Sequence, residues 1–320
     1  MSSPPTKRQR TEDEPITRSD TWFPDGNVVL QARNTQFRVH WGVLTLHSSV
    51  FSDMQGLPQP PEQPSVEGCP VVELQDDEED LKFLLKALYT PTFLGKQKIP
   101  FSAVAALVRL GRKYEFQDLY DSAVGRLTAS LPATLEEYDA LKPYPDRWST
   151  FDSYRGIHFD VIALATEHDL FKVLPCAYVE MACFYITAAL FDEIQNRNGS
   201  RTRTLSGEYL RKCVLFQQAL SIKQYQPSYS HGWLRKWEFE ADCAAPKTCR
   251  AVRESVLGVC MDNAFVISFT KMEKIPILKQ CCSKCVSHLC DSIDSGRKKM
   301  WDELPGLLGL PPWDELENSQ

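Results

Sequence analysis

The residues of this sequence best suited to chemistry are its cysteines, which concentrate near the C-terminal end. Seven of the 11 cysteines lie between residues 243 and 290. Cys243 and Cys249 are six positions apart, and Cys282 and Cys285 are three apart. A Cys-x-x-Cys turn lets two thiolates reach one tetrahedral zinc ion, and a second pair completes the ligand set. The sequence therefore predicts a structural zinc site at these four residues.

Other interpretations of the cysteine cluster stay open. His288 follows Cys285 by three positions and is a spare ligand, as are Cys281 and Cys290. Buried free thiols in a small core would give the same pattern, and a redox pair is a third interpretation. A closed four-thiolate site leaves no coordination position for catalysis, so the predicted cofactor is structural Zn²⁺ or none.

Histidine and serine also occur together near the start of the chain, in the stretch RVHWGVLTLHSSVFSDMQ that runs from Arg38 to Gln55. A histidine beside a serine is typical of a hydrolase site. Here the apolar residues from Trp41 to Met54 recur at helical spacing, which places His40 at a strand end and Ser48 in a helix interior or at a helix cap. The sequence has no G-x-S-x-G elbow, phosphate-binding loop or H-E-x-x-H motif. A non-enzyme is predicted, and a hydrolase-like enzyme is the weakest alternative.

The elements around this stretch indicate an α+β fold. The segments 27–31 and 35–39 have strand patterns with a turn between them and predict a hairpin. A helical pair, a proline-rich loop over 55–70 and a third strand at 71–74 follow. The acidic run 76–80 is typical of a helix N-terminus, where negative charge meets the positive end of the helix dipole. Helical patterns dominate the rest of the chain.

Three separated motifs in this region resemble the BTB/POZ domain. The first fits F-x-V-H-x-x-x-L-x-x-x-S-x-x-F-x-x-M, the second ends a helix in L-Y-T, and the third reads L-x-x-L-G-x-K-Y. The residues of this signature are Phe37, Val39, His40, Leu44, Ser48, Phe51, Met54, Leu88, Tyr89, Lys113 and Tyr114. The resemblance implies a small β-sheet flanked by helices, and it implies protein partners.

Two departures from the family pattern limit what the resemblance implies. Trp41 stands where the family usually has a basic residue, so the charged co-repressor pocket of BTB repressors is not expected. Little sequence precedes the first predicted strand, whereas many BTB dimers use an additional element there. A homodimer is therefore allowed but not implied.

The remainder of the chain is similar to the C-terminal region of BTB proteins from mushroom-forming fungi. Those proteins carry a cysteine-pair segment at the same four positions, then G-R-x-x-x-W-x-x-L-P and L-P-x-W. The matching residues here are Gly296, Arg297, Trp301, Leu304, Pro305, Leu310, Pro311 and Trp313. The resemblance implies a mostly α-helical C-terminal region with a cysteine-rich segment.

Composition narrows the class of partner. The formal net charge is −6, which disfavours a broad nucleic-acid-binding surface. No uncharged apolar run is long enough for a membrane span, and the start of the chain lacks the apolar core of a secretory signal. An intracellular protein of the nucleus or cytoplasm is expected. Lys7, Arg8 and Arg10 resemble a nuclear import signal.

The predicted organisation has five parts. These are a disordered tail over 1–18, a BTB/POZ domain over 19–131, a helical region over 132–240, a cysteine-rich segment over 241–300 and a Trp/Leu/Pro tail over 301–320. The predicted function is a protein–protein interaction module, and its favoured form is a substrate adaptor for a cullin-type ubiquitin ligase. A nuclear transcription or chromatin regulator is the alternative.

Overall fold

The computed structural model describes residues 15–58, 63–192, 194–195, 202–203, 207–235, 242–263 and 266–318. The described residues form two compact units. The first unit comprises the residues up to Arg126 together with Thr150–Asp152. The second unit comprises Leu127–Ser149 and the residues from Ser153 onward. Apart from Thr150–Asp152, the helical region, the cysteine-rich segment and the tail predicted as separate parts therefore lie in one unit.

The first unit contains a five-stranded sheet with the strand order β1-β3-β2-β5-β4. Its strands are β1 (Thr17–Trp22), β2 (Val28–Ala32), β3 (Thr35–Val39), β4 (Ser65–Val66) and β5 (Cys69–Leu74). The predicted hairpin is confirmed, because β2 and β3 pair antiparallel with Ala32 opposite Thr35. The third predicted strand is β5, which lies parallel to β2 on its other side.

The first strand differs from the prediction. β1 begins at Thr17, inside the segment predicted to be disordered, and pairs parallel with β3. An element therefore does precede the hairpin, contrary to the expectation that little ordered sequence would. The segment TRSDTW carries no apolar alternation, so backbone pairing with β3 holds it in place, and Thr17 N also donates to Asn34 O at 2.7 Å in the turn before β3.

Six helices accompany this sheet. They are α1 (Trp41–His47), α2 (Ser49–Gly56), α3 (Glu78–Tyr89), α4 (Pro91–Leu94), α5 (Phe101–Lys113) and α6 (Gln117–Ser130), the last of which contains the boundary between the units. The acidic run begins α3 as predicted, and the Asp77 side chain accepts a hydrogen bond from Glu79 N at the N-cap. The predicted loop over 55–70 is interrupted by β4, which pairs with β5.

The core of the first unit lies among the sheet, the α1–α2 pair, α3 and α5. Its fully buried side chains include Leu30, Phe37, Leu44, Phe51, Leu81, Leu84, Leu85 and Leu107. Burying one such side chain stabilises the folded state by about 1.5–3 kcal/mol. The apolar residues therefore recur in the sequence at the spacing of their strand or helix.

The second unit is mostly helical. Its helices after α6 are α7 (Leu135–Ala140), α8 (Ile157–Glu167), α9 (Leu174–Phe184), α10 (Gly207–Lys223), α11 (Pro246–Asn263), α12 (Ser283–Asp302) and α13 (Leu304–Leu307). Two short strands, β6 (Ile194–Gln195) and β7 (Thr202–Arg203), pair antiparallel. No helix of the described part is both long and apolar enough to cross a membrane.

The last helix and the tail differ from the predicted boundary at residue 300. α12 continues through Trp301 to Asp302, so Trp301 belongs to a helix and is almost fully buried. Trp313 then stacks on Trp301 with ring centroids 5.8 Å apart, and its indole N–H donates to Trp301 O at 2.8 Å. The tail beyond α13 is therefore docked against its own unit.

Candidate metal centre and protein-interaction domain

The four predicted cysteine ligands come together at the N-termini of two helices. Cys243 precedes α11 and Cys249 lies in its first turn, while Cys282 is the N-cap of α12 and Cys285 lies in its first turn. The free amide groups of a helix N-terminus carry partial positive charge and stabilise thiolates. Each pair thus occupies a position where the local backbone favours the metal-binding form of sulfur.

The distances among the four thiols are those of a metal-ligand set. All four sulfur atoms lie within 4.8 Å of one another, and the sulfurs of Cys243 and Cys282 are 3.9 Å apart. Tetrahedral zinc with Zn–S bonds of about 2.3 Å requires sulfurs about 3.8 Å apart. All 11 cysteines lie in the described residues, and each is a free thiol. The four residues therefore could hold a metal ion after a small contraction.

The four thiols differ in their exposure to solvent. Cys249 and Cys285 are fully buried, whereas Cys243 and Cys282 are half-buried. Burial raises the pKa of the Cys285 thiol. The backbone amide of Cys285 stabilises the Cys282 thiolate and lowers its pKa to about 6. The amide of Cys282 in turn donates to Cys249 Sγ at 3.3 Å.

A small hydrophobic core surrounds the thiols. It consists of the buried residues Trp233, Leu234, Cys249, Val252, Val256, Leu278, Cys281, Cys285, Leu289 and Ile293. A four-thiolate site in such surroundings offers no open coordination position, and soft thiolate ligands suit Zn²⁺ or an iron–sulfur centre. The donor set and geometry therefore fit a closed, structural ion.

The spare ligands named from the sequence lie outside this cluster. Among the described residues, the group of mutually close metal-ligating atoms consists of the four thiols alone. His288 is half-buried on α12, and burial raises the pKa of the Cys281 thiol to about 12. Cys290 donates to Met272 Sδ at 2.9 Å. Sequence spacing made these residues candidates, but they are not part of the cluster.

In the first unit, His40 and Ser48 hold the α1–α2 pair in place. The Tyr89 hydroxyl lies 3.3 Å from His40 Nδ1 and accepts the His40 backbone N–H at 3.0 Å. Ser48 is the N-cap of α2, accepts from Phe51 N at 3.0 Å and donates to Tyr114 O. Both side chains are thus committed to structural bonds at different ends of α1.

The remaining signature residues also have structural places. Phe37, Val39, Leu44 and Phe51 are fully buried, Tyr114 is buried, and Met54, Leu88 and Tyr89 are half-buried. Lys113 is exposed and pairs with Asp76 at 2.6 Å, and the Tyr114 hydroxyl donates to the other oxygen of Asp76. The three motifs therefore join the sheet, α1, α2, α3 and α5 into one core.

Comparison with known families agrees with this arrangement, because residues 24–131 match the model of the BTB/POZ domain. Residues 24–131 form a BTB/POZ domain, most of which lies in the first unit. A search of curated proteins found no significant match to the chain. A BTB/POZ domain is a protein-interaction domain, so this part of the chain is a protein–protein interaction module.

Trp41 occupies the position where a basic side chain was expected in this BTB domain. Its ring is buried and meets Phe51 edge-on with centroids 6.3 Å apart. Its backbone N–H donates to the Asn27 side chain at 2.8 Å. Trp41 therefore extends the core of the domain and presents no charge to a partner.

Sequence reasoning missed a buried polar network in the second unit. Glu180 lies on α9 within an apolar run and pairs with Arg147 at 2.5 Å. The Tyr144 hydroxyl donates to Glu180 at 2.8 Å and lies 2.9 Å from His158 Nε2. Burial lowers the pKa of His158 to about 3, so the ring is neutral. The one available signal was a lone glutamate in the stretch CAYVEMACFYITAALF.

The predicted nuclear import residues Lys7, Arg8 and Arg10 lie outside the described residues. The prediction for them rests on sequence alone.

Proposed function

We propose that this protein is a non-enzymatic adaptor whose BTB domain binds a cullin-type ubiquitin-ligase scaffold and whose second unit binds the substrate. The observation that carries the proposal is a BTB/POZ domain followed in the same chain by a second compact unit. An adaptor needs two binding surfaces, and a chain with two compact units can offer one on each unit.

The outer side of the α1–α2 pair is the candidate contact surface of the BTB domain. Leu46 on α1 is 76% exposed, and Leu57 just after α2 is 62% exposed. Val43, Val50 and Met54 are half-buried on the same helical pair. Large apolar side chains left in water on a rigid element are typical of an interaction surface.

Biolayer interferometry with an immobilised cullin N-terminal domain and the full-length protein tests the proposal. We expect a dissociation constant of about 1 µM or lower, which corresponds to about −8 kcal/mol. Leu46→Asp should weaken binding at least tenfold because it places a charge in an apolar contact. Ser102→Asp is the matched control, since Ser102 is exposed on α5 and an acid there suits a helix N-terminus.

The outcomes of this assay separate the two parts of the proposal. No association at a protein concentration of about 10 µM refutes the cullin adaptor. Binding that Leu46→Asp leaves unchanged supports the adaptor but refutes the α1–α2 surface. Sedimentation measurements on the same samples determine whether the protein binds as a monomer or as a homodimer, since a homodimer through the BTB domain is compatible with the adaptor.

We further propose that the four thiols of Cys243, Cys249, Cys282 and Cys285 hold a structural Zn²⁺. The ion would link the N-terminus of α11 to that of α12 and so stabilise the unit that binds the substrate. Zinc is favoured over a buried thiol cluster because two of the thiols are half-buried and both pairs sit where backbone amides stabilise thiolates.

The second candidate function is a nuclear transcription or chromatin regulator. The basic residues Lys7, Arg8 and Arg10 favour it, together with the cysteine cluster. Fluorescence microscopy of the tagged protein and a DNA-binding assay at low salt test it. Cytoplasmic fluorescence with no DNA binding removes this candidate and leaves the adaptor.

A further inference from the structure

A pocket of about 300 Å³ opens in the second unit beside the buried polar network. Three aromatic rings and a proline form its walls, and an ion pair forms its floor; these residues are Tyr138, Pro143, Tyr144, Phe184, Arg147 and Glu180. They come from α7, from the connector that follows it and from α9. A volume of this size is at the lower end for ligand sites, so the guest is small or is one part of a larger chain.

The polar floor of the pocket carries no net charge, although Arg147 Nε and His158 Nδ1 are buried without a hydrogen-bond partner among the described residues. Arg147 donates to one oxygen of Glu180, and the Tyr144 hydroxyl donates to the other. Because Tyr144 has a single proton, His158 must donate from Nε2 to the Tyr144 oxygen, at 2.9 Å. The opposite charges of Arg147 and Glu180 cancel, so the floor gives neither a phosphate nor an ammonium group an unpaired counter-charge.

This network adds little to the free energy of folding compared with apolar packing. A buried ion pair is often no more stable than an apolar replacement of the same volume, because both ions lose their hydration. What the network does provide is a fixed position for the Tyr144 ring, whose hydroxyl is held by both Glu180 and His158. Arg147 likewise lies over the Tyr138 ring at 4.4 Å. The polar groups thus orient the aromatic walls.

The rim of the pocket leaves aromatic surface in water. Tyr144 is 42% exposed and Phe184 is 50% exposed, and their ring centroids are 5.1 Å apart. Rigid aromatic side chains of this kind contribute large contact area at a low cost in conformational entropy. Two tilted rings beside a shallow neutral pocket are suited to a flat, uncharged ring.

We propose that this pocket binds an uncharged, proline-containing extended segment of a partner protein. The proposal rests on the proposed function, because it assigns the substrate-binding surface of the adaptor to the second unit. Aromatic-lined grooves recognise proline because the polyproline conformation is already extended and loses little entropy on binding. A single-stranded nucleic acid would also stack on the rings, but the neutral floor and the net charge of −6 disfavour its phosphates.

Fluorescence polarisation with the full-length protein and a labelled decaproline peptide tests the assignment. We expect a dissociation constant of about 100 µM or lower, and no saturable binding of a glycine–serine decapeptide. Phe184→Ala should weaken decaproline binding about tenfold, because it removes one of the two exposed rings. Phe191→Ala is the matched control, since Phe191 is 62% exposed in the same unit and does not line the pocket.

The possible results distinguish this inference from the adaptor proposal. Decaproline binding that Phe184→Ala and Phe191→Ala affect equally overturns the pocket, as does the absence of decaproline binding. Tight binding of decauridine that is lost in Phe184→Ala shows a nucleic-acid site instead and also overturns it. Cullin binding by Phe184→Ala is measured in parallel. Its retention shows that the adaptor stands whatever the peptide result, and a matching thermal melt shows that the variant is folded.

Discussion

Removing one ligand of the four-thiol cluster tests the metal proposal most directly. We choose Cys282→Ser because Cys282 is half-buried, so a hydroxyl there costs less than at the fully buried Cys249 or Cys285. The variant leaves three thiols within 4.8 Å of one another. Cys290→Ser is the matched control, because Cys290 lies on the same helix and outside the cluster.

The size of the effect follows from linkage between binding and folding. An ion that binds only the folded chain stabilises it by about 2.7 kcal/mol when its free concentration is 100 times its Kd. A four-thiolate zinc site reaches this ratio easily, since apparent binding free energies for such sites are about 10–16 kcal/mol. For a unit of this length, 1 kcal/mol shifts Tm by about 2–4 °C, so loss of the ion should lower Tm by at least about 5 °C.

Two measurements on the purified protein give the answer. Elemental analysis should find about one zinc per chain in the wild type and in Cys290→Ser, and much less in Cys282→Ser. Differential scanning calorimetry should show the lower Tm in Cys282→Ser and in wild type treated with a chelator. Zinc far below one per chain in the wild type refutes the site. Zinc that stays at one per chain in Cys282→Ser, with an unchanged Tm, shows that the Cys282 thiol is not a ligand.

Two further predictions concern stability. Ser48→Ala should lower the free energy of unfolding of the first unit, measured by urea titration, by about 1–3 kcal/mol, because α2 loses its N-cap and the buried Tyr114 carbonyl loses a donor. Ser52→Ala is the control at an exposed position and should change this free energy little, and an equal loss in both variants would contradict the capping role. Burial lowers the pKa of His158 to about 3 and that of His231 to about 4, so the unfolded state binds more protons between those values and about pH 6.5. Stability should therefore fall as the pH falls below about 6.5, by up to about 1.4 kcal/mol per pH unit for each histidine, and His158→Gln should flatten this dependence in urea titrations at several pH values. An unchanged slope in that variant would show that His158 is not the group responsible.

The BTB domain could be predicted because its signature depends on short-range spacing. Phe37, Val39 and Leu44 alternate or recur at the period of their strand or helix, and each is buried where that period places it. β1 could not be predicted in the same way. Its residues are exposed or half-buried, and the strand is held by backbone pairing with β3, which leaves no apolar pattern in the sequence.

The two candidate sites of the second unit differ in the same way, because one depends on local spacing and the other on tertiary contacts. The four thiols were identifiable because cysteine is rare and Cys-x-x-Cys is a local spacing with a defined use. The aromatic pocket was not identifiable, because Tyr144, Glu180 and Phe184 are ordinary residue types and the whole of α8 lies between Tyr144 and the other two. Only their tertiary contacts bring the rings over the Arg147–Glu180 pair.

The remaining C-terminal motif, G-R-x-x-x-W, acquires a structural explanation from α12. A Cβ atom at Gly296 would lie 2.2 Å from Ser230 N. Only glycine therefore lets the backbone at Ser230 come this close to α12. Arg297 is buried and donates to Phe269 O at 3.1 Å and to Asp139, and the Trp301 indole donates to Ala133 O at 2.8 Å. These contacts fasten the C-terminal half of α12 to its unit.

The two ends of α12 are therefore held by different kinds of contact. Its C-terminal half is held by the close backbone approach at Gly296, by the buried Arg297 and by Trp301. These contacts involve no metal ligand. At its start, Cys282 at the N-cap and Cys285 in the first turn lie close to Cys243, which precedes α11, and to Cys249 in the first turn of α11, beside a small hydrophobic core. Thiol–thiol contacts alone are weak, whereas a shared ion would fix both helix starts at once. A metal that completes the anchoring of α12 accounts for the position of all four cysteines, and it requires no open coordination site.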